Sequence, residues 1–153
     1  MKIGIVGNGA DKFTTAGSVA ARRVIREVLA YRRASAVGSG HSPMGGVDLW
    51  AEDAARELGL ELIIHAPRNQ TWSGPGGYRA RNLEIARSSD EVHVVVADRL
   101  PPGYAGRRHA LCYHCAKVGR DPRDHVKSGA CWTAAQAMEM GKSASWYIVK
   151  NGG

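Results

Sequence analysis

Met1-Lys2-Ile3-Gly4-Ile5-Val6-Gly7-Asn8-Gly9 is a short β-branched run that breaks on two glycines flanking an asparagine. β-Branched residues suit a pleated, buried surface, and an apolar run that ends on glycine reads as a strand entering a tight turn. Beyond it the period changes. Val19, Val24, Ile25, Val28 and Leu29 recur at helical spacing, with Thr14 or Thr15 available as the N-cap.

The same change of period repeats along the chain. Runs at about Ala34 to Val37, Leu60 to Ile64, Val92 to Val96 and Ser145 to Val149 read as further strands, too widely spaced for hairpins. Helical patterns fall between them. One covers Val47 to Leu58 and stops at Gly59; another runs from Tyr78 to Arg87 with Tyr78, Asn82, Ile85 and Ala86 facing inward. The last runs from Trp132 to Met140 and stops at Gly141. Near-continuous apolar strands cannot leave one sheet face in water, so the alternation predicts an α/β, three-layer sandwich. Its sheet should be mostly parallel, with about five or more strands and helices on both faces.

At 153 residues the chain is long enough for one domain over 1–153 with a real core. The hydrophobic share of 44% and charged share of 23% are those of ordinary globular proteins and exclude disordered and fibrous classes. The N-terminus lacks the basic leader and apolar stretch of a secretion signal, and no segment approaches about 18 uninterrupted apolar residues. A cytoplasmic protein with no membrane partner is expected. The net charge of +7 comes mainly from arginine, whose planar fork suits phosphate and carboxylate. Anionic partners follow, either a nucleotide-type small molecule or a nucleic acid.

Four glycine-rich or small-residue turns stand where ligands are commonly held. Gly7-Asn8-Gly9 allows close backbone approach to a phosphate, but Lys12 occupies the place of a third glycine and no acid closes the second strand, so the full dinucleotide pattern is missing. The loop Gly38-Ser39-Gly40-His41-Ser42-Pro43-Met44-Gly45-Gly46-Val47-Asp48 opens the second helix. Asp48 there is expected to cap that helix or to contact ligand hydroxyls, and His41 to hydrogen-bond within the loop. In Gly76-Gly77-Tyr78-Arg79-Ala80-Arg81-Asn82 only one arginine can readily face a given site, and Arg81 borders the inward face. Ser128-Gly129-Ala130-Cys131-Trp132-Thr133 sets small residues and a hydroxyl ahead of the last helix, a natural anion seat.

Taken together, the Gly-Val-Asp loop, the Arg-Asn pair and the Ser-Gly-x-Cys-Trp-Thr turn resemble the SLOG superfamily. That group includes the lonely-guy phosphoribohydrolases, DNA-processing proteins and stand-alone nucleotide-sensing domains. The resemblance spans roughly Met1 to Val149. It implies a Rossmann-like domain that binds a nucleotide or nucleotide derivative, with the phosphate at Ser128 to Thr133, and it suggests a homo-oligomer paired through helices. In the phosphoribohydrolases the corresponding turn closes on a glutamate that works with an arginine of the preceding helix. Arg81 matches that arginine, as the catalytic candidate, but Gln136 stands where the acid should be. Glutamine cannot ionise, which moves the expectation from a nucleotide N-glycosidase toward a binder. Glu84 reads as a surface ion pair, and neither Glu139 nor Asp48 matches the family position.

The stretch from Asp98 to Lys127 departs from the alternation and is too long for an ordinary connection. It reads as an irregular insertion. Cys112 and Cys115 form half of a tetrahedral zinc site that His125 and Cys131 could complete, with His114 or His109 as alternates. The spacing Cys-x2-Cys-x9-His-x5-Cys matches no standard finger, and redox-active or unligated cysteines are the competing readings. Among the tryptophans, Trp50 and Trp146 are expected in the core. Trp72, in a polar loop, either stacks on a base or closes over the site, or packs on the surface.

Overall fold

The computed structural model describes residues 1–152 and follows the alternation. β1 (Lys2–Gly7) leads through a single 3-10 turn at Ala10–Lys12 into α1 (Thr15–Tyr31), then β2 (Ala36–Ser39), α2 (Val47–Glu57) and β3 (Glu61–Ile64). After these come α3 (Tyr78–Ser88), β4 (Glu91–Ala97), α4 (Tyr113–Lys117), α5 (Gly129–Glu139) and β5 (Ser143–Val149). The five strands pair in parallel in the order β3-β2-β1-β4-β5. Registers are continuous across the sheet, with Ile3 opposite Val37 on one side and Val6 opposite Val94 on the other.

Each face of the sheet has its own core. Ile3, Ile5, Val37, Val95 and Ala97 pack beneath α1 and α2 against Ala21, Ile25, Leu29, Val47 and Ala51. Val6, Val92, Val94 and Val96 face α3 and α5, where Ile85, Ala86, Cys131, Ala134 and Ala137 close the layer. Burial on both sides is the physical reason these strands carry apolar runs rather than alternating residues.

Local signals set the helix ends, and two expectations shift. Thr14 is the cap of α1, its Oγ1 accepting from Gly17 N at 3.0 Å. α5 begins at Gly129, three residues before Trp132, because Ser128 caps it by accepting from Ala130 N at 3.1 Å. Gly129 and Ala130 therefore belong to the first helical turn. Trp50 and Trp146 are only partly buried. Trp50 packs edge-on to Phe13, while Trp146 lies on edge strand β5 with the Arg120 guanidinium 4.1 Å over its ring.

Two glycines hold the strand ends together. A Cβ on Gly7 would stand 2.0 Å from Val95 O and collide with Val47, so only glycine lets β1, β4 and α2 converge. Gly46 has φ 78, and a Cβ there would meet Asn8 O and Ala10 N at 2.5 Å. The loops after β1 and β2 thus pack backbone to backbone.

At the amino end of the sheet, away from these turns, Glu91 accepts from Arg32 Nε and Nη2 at 2.8 Å and lies 2.7 Å from His93 Nε2. His93 Nδ1 reaches Tyr147 Oη at 2.9 Å. The Arg32 hydrogen bonds hold Glu91 down at about 2. Such a network ties β4 to β5 and to the end of α1.

Candidate functional site

β1 runs on to α1 on one face of the sheet and β4 to α5 on the other, so a crevice opens at their carboxyl ends, the topological switch point of such sheets. A cavity of about 370 Å³ lies there. Of the residues expected to hold ligand, Gly7, Asn8, Gly9, Asp48, Arg81, Asn82, Ser128, Gly129, Ala130 and Thr133 line it. Ser39, Gly40, Gly45, Gly46 and Trp132 do not line it. Lys12, Ser42, Met44 and Lys127 also line it, with no local pattern to announce them.

Asn8 is a tie between elements. Its Oδ1 accepts from Ala97 N at 2.9 Å, its Nδ2 donates to Lys127 O at 3.4 Å, and its carbonyl accepts from Val47 N at 3.2 Å. The turn after β1, the end of β4 and the approach to α5 are therefore held as a unit.

Arg81 projects from α3 with its side chain only 10% exposed. Its Nε donates to Asn82 Oδ1 at 2.7 Å, an Nη1 hydrogen bond goes to Gly40 O, and Nη1 lies 3.7 Å from Asp48 Oδ2. Of the two expectations for Asp48, a cap or a ligand contact, the cap is not met. α2 starts from Gly46 with no side-chain cap, and the Asp48 carboxylate turns instead toward Arg81, accepting from Ser42 N at 3.1 Å. Asp48 is the cavity's one carboxylate, set among Lys12, Arg81 and Lys127. Gln136 does not reach the wall, and Glu84 faces His65 at 3.6 Å rather than Arg81.

Burial pushes the Asp48 carboxyl up to about 6, against the pull of Arg81. Because the folded value lies above the unfolded one, the native state binds the proton more tightly, and stability falls as pH rises from about 4 to about 6. A shift of this size is worth about 3 kcal/mol. Asp48→Asn is expected to flatten that part of the stability profile, measured by urea denaturation between pH 4 and pH 7; a variant profile parallel to the parent's would contradict it.

Behind the wall lies a carboxylate that no motif announced. Glu52 is 1% exposed, accepts from Ser39 Oγ at 2.8 Å and lies 2.8 Å from His41 Nδ1. His41, at φ 48, thus hydrogen-bonds from its loop as expected, its side chain to Glu52 of α2 and its backbone N to Ser39 Oγ at 3.1 Å. Nearer the opening, Trp72 lines the cavity and meets Trp132 edge-on at 5.2 Å, with Arg79 over the Trp132 ring. Lys12 and Lys127 also border a neighbouring cavity of about 330 Å³ that carries Arg99, Arg107, Arg108 and Arg123.

The insertion folds against the α5 side. Cys112 N donates to Pro122 O at 2.7 Å, α4 buries Cys115, and Val126 N donates to Ala97 O at 2.8 Å. Cys112, Cys115, His125 and Cys131 are all buried, and their four donor atoms lie within 4.8 Å of one another. The three cysteines are free thiols. Cys115 Sγ and Cys131 Sγ stand 3.4 Å and 3.7 Å from His125 Nε2. A tetrahedral ion with metal–sulfur bonds near 2.3 Å sets its donors roughly 3.5–3.8 Å apart, so the cluster could hold a metal such as zinc. Outer partners are in place: Asp124 Oδ1 sits 2.6 Å from His125 Nδ1, and Arg120 Nη1 and Trp146 Nε1 donate to Cys115 and Cys131. A hydrogen bond from Cys131 holds the Cys112 thiol far below its usual range, toward the thiolate a metal requires. His109 and His114 lie outside the cluster.

A parallel α/β sheet with a crevice at its switch point and helices on both faces is a Rossmann-like fold. Two solved structures share it. One is the molybdenum cofactor carrier protein of Chlamydomonas reinhardtii, 17% identical with a TM-score of 0.56, covering 95% of this chain and 74% of its own. The other is DNA processing protein A (DprA) of Streptococcus pneumoniae, also 17% identical with a TM-score of 0.54, covering 93% of this chain and 49% of its own. At such identity the likeness establishes the fold and not the ligand. No family model and no curated protein matches the sequence. No helix of the described residues is long and apolar enough to cross a membrane.

Proposed function

We propose that the protein binds a nucleotide or nucleotide-derived ligand in the crevice between β1 and β4, with its phosphate on the first turn of α5. The observation that carries this reading is Thr133 Oγ1. Among the described residues it is the buried side-chain polar atom without a hydrogen-bond partner, and Thr133 lines the cavity one turn into α5. Leaving such a group unsatisfied costs about 1–3 kcal/mol, which a ligand oxygen would offset. The helix N-terminus, Arg81, Lys12 and Lys127 add positive potential around the same point. A fold neighbour named as a cofactor carrier and another named for DNA processing lend support to a ligand of this kind.

Trp72 offers a face for the base. Calorimetric titration with nucleoside monophosphates and inorganic phosphate tests the reading: saturable binding of both is expected. Trp72→Ala should weaken the nucleotides about tenfold, in the range of one stacked base, and leave inorganic phosphate unchanged. Failure of every nucleotide to bind would overturn the proposal.

A second reading, cleavage of the nucleotide's N-glycosidic bond, is favoured by Asp48. Its carboxyl stands beside Arg81 with a value of about 6, suited to proton transfer near neutrality, where Gln136 cannot act. Chromatography after incubation decides it: released base supports cleavage, and complete recovery leaves a binder. For the Cys3His cluster the donor set fits zinc, and four protein ligands with no open position describe a structural ion rather than a catalytic one.

A further inference from the structure

His125 and Cys131 are two of the four cluster donors, and the residues between them are Val126, Lys127, Ser128, Gly129 and Ala130. All of these except Val126 line the cavity. The first half of the anion seat, Ser128 to Ala130, is thus bounded on both sides by metal ligands, and Thr133 follows the second ligand by two residues. The other tethers of the Val126 to Ala130 segment are Val126 N to Ala97 O, the 3.4 Å bond from Asn8 to Lys127 O, the Ser128 cap, the Lys127 ammonium over the Tyr113 ring, and the packing of Val126 and Ala130 on the two cores. None of them joins the segment to the insertion's cysteines as the cluster does. Cys112 and Cys115 reach the cluster from the insertion, so an ion there would join that irregular strap to the start of α5.

We infer that zinc at Cys112, Cys115, His125 and Cys131 is the clamp that fixes the anion seat, so that metal occupancy sets the affinity of the α5 turn for phosphate. The inference rests on the phosphate position proposed above. Its physical basis is preorganisation. A segment closed at both ends by metal bonds is already ordered when the anion arrives, whereas an unclamped one must be ordered by the anion itself, at the expense of affinity. The expected coupling is at least tenfold. By linkage the effect is reciprocal, and a bound anion must tighten zinc by the same factor.

The test compares zinc-loaded protein, protein stripped by chelator, and stripped protein reloaded with zinc. Inorganic phosphate and adenosine monophosphate serve as calorimetric probes. Stripping should weaken both at least tenfold, reloading should restore them, and Cys115→Ser, which changes an α4 ligand whose partners are Cys131, His125 and Arg120 rather than residues of the cavity wall, should behave like stripped protein. Amide hydrogen exchange at Gly129 and Ala130 should accelerate on stripping. Cobalt substitution should give the intense visible bands of a tetrahedral thiolate site. Should stripped protein unfold, zinc loss to a competing chelator is followed on loaded protein instead, where saturating phosphate should slow it. Equal phosphate affinity with and without zinc, or zinc retention indifferent to phosphate, would overturn the clamp while leaving the nucleotide reading intact. Loaded protein that binds neither probe would overturn both.

Discussion

Arg81→Ala will abolish nucleotide binding and weaken the fold at neutral pH. The guanidinium is buried beside Asp48 and bonded to Gly40 O and Asn82 Oδ1, so its removal takes the most enclosed cation from the cavity and strands a buried carboxylate. Breaking a buried pair from one side costs about 3–5 kcal/mol, because the remaining charge keeps its desolvation penalty without its partner. Adding Asp48→Asn to Arg81→Ala should recover most of that stability and none of the binding. Urea denaturation and titration on the two variants separate the roles. Parental affinity in Arg81→Ala would show that the ligand is held elsewhere.

The other large effect is expected on metal removal. An ion that binds only the folded chain adds RT ln(1 + [L]/Kd), about 4 kcal/mol at a thousandfold excess over Kd. For a chain of this length each kcal/mol moves the melting temperature by about 2–4 °C, so stripping zinc should lower it by roughly 10 °C. Much of the loss should fall on the insertion and α5, which the cluster joins. Calorimetry of loaded and stripped protein, with elemental analysis of the starting material, checks this. A protein purified without chelator that holds no zinc and melts unchanged after stripping would contradict it.

The strands and most helix limits were legible because burial on both sheet faces leaves continuous apolar runs, and because Thr14, Gly59 and Gly141 mark their helix ends. α5 was read late: Gly129 and Ala130 look like turn residues until the Ser128 cap is seen to start the helix before them. The metal donors could be read from the Cys-x2-Cys spacing, with His125 and Cys131 as the completing pair. Asp48 was read as a cap or a ligand contact, but its pairing with Arg81 could not be, because Arg81 is an α3 residue remote in sequence. Glu52 was hidden for the same reason, its partners Ser39 and His41 lying at the end of β2 and in the loop that follows it. The Arg32–Glu91–His93–Tyr147 network joins three elements and leaves no trace in any one of them.

The most direct measurement is the mapping of backbone amide chemical shifts while a nucleoside monophosphate is titrated into the zinc-loaded protein. Perturbations should concentrate at Gly7 to Gly9 and at Ser128 to Thr133, with saturation at a common dissociation constant and the Arg81 side chain shifting in step. Shifts confined to the cavity of Arg107, Arg108 and Arg123, or no saturable shift at the α5 turn, would contradict a nucleotide site at the switch point.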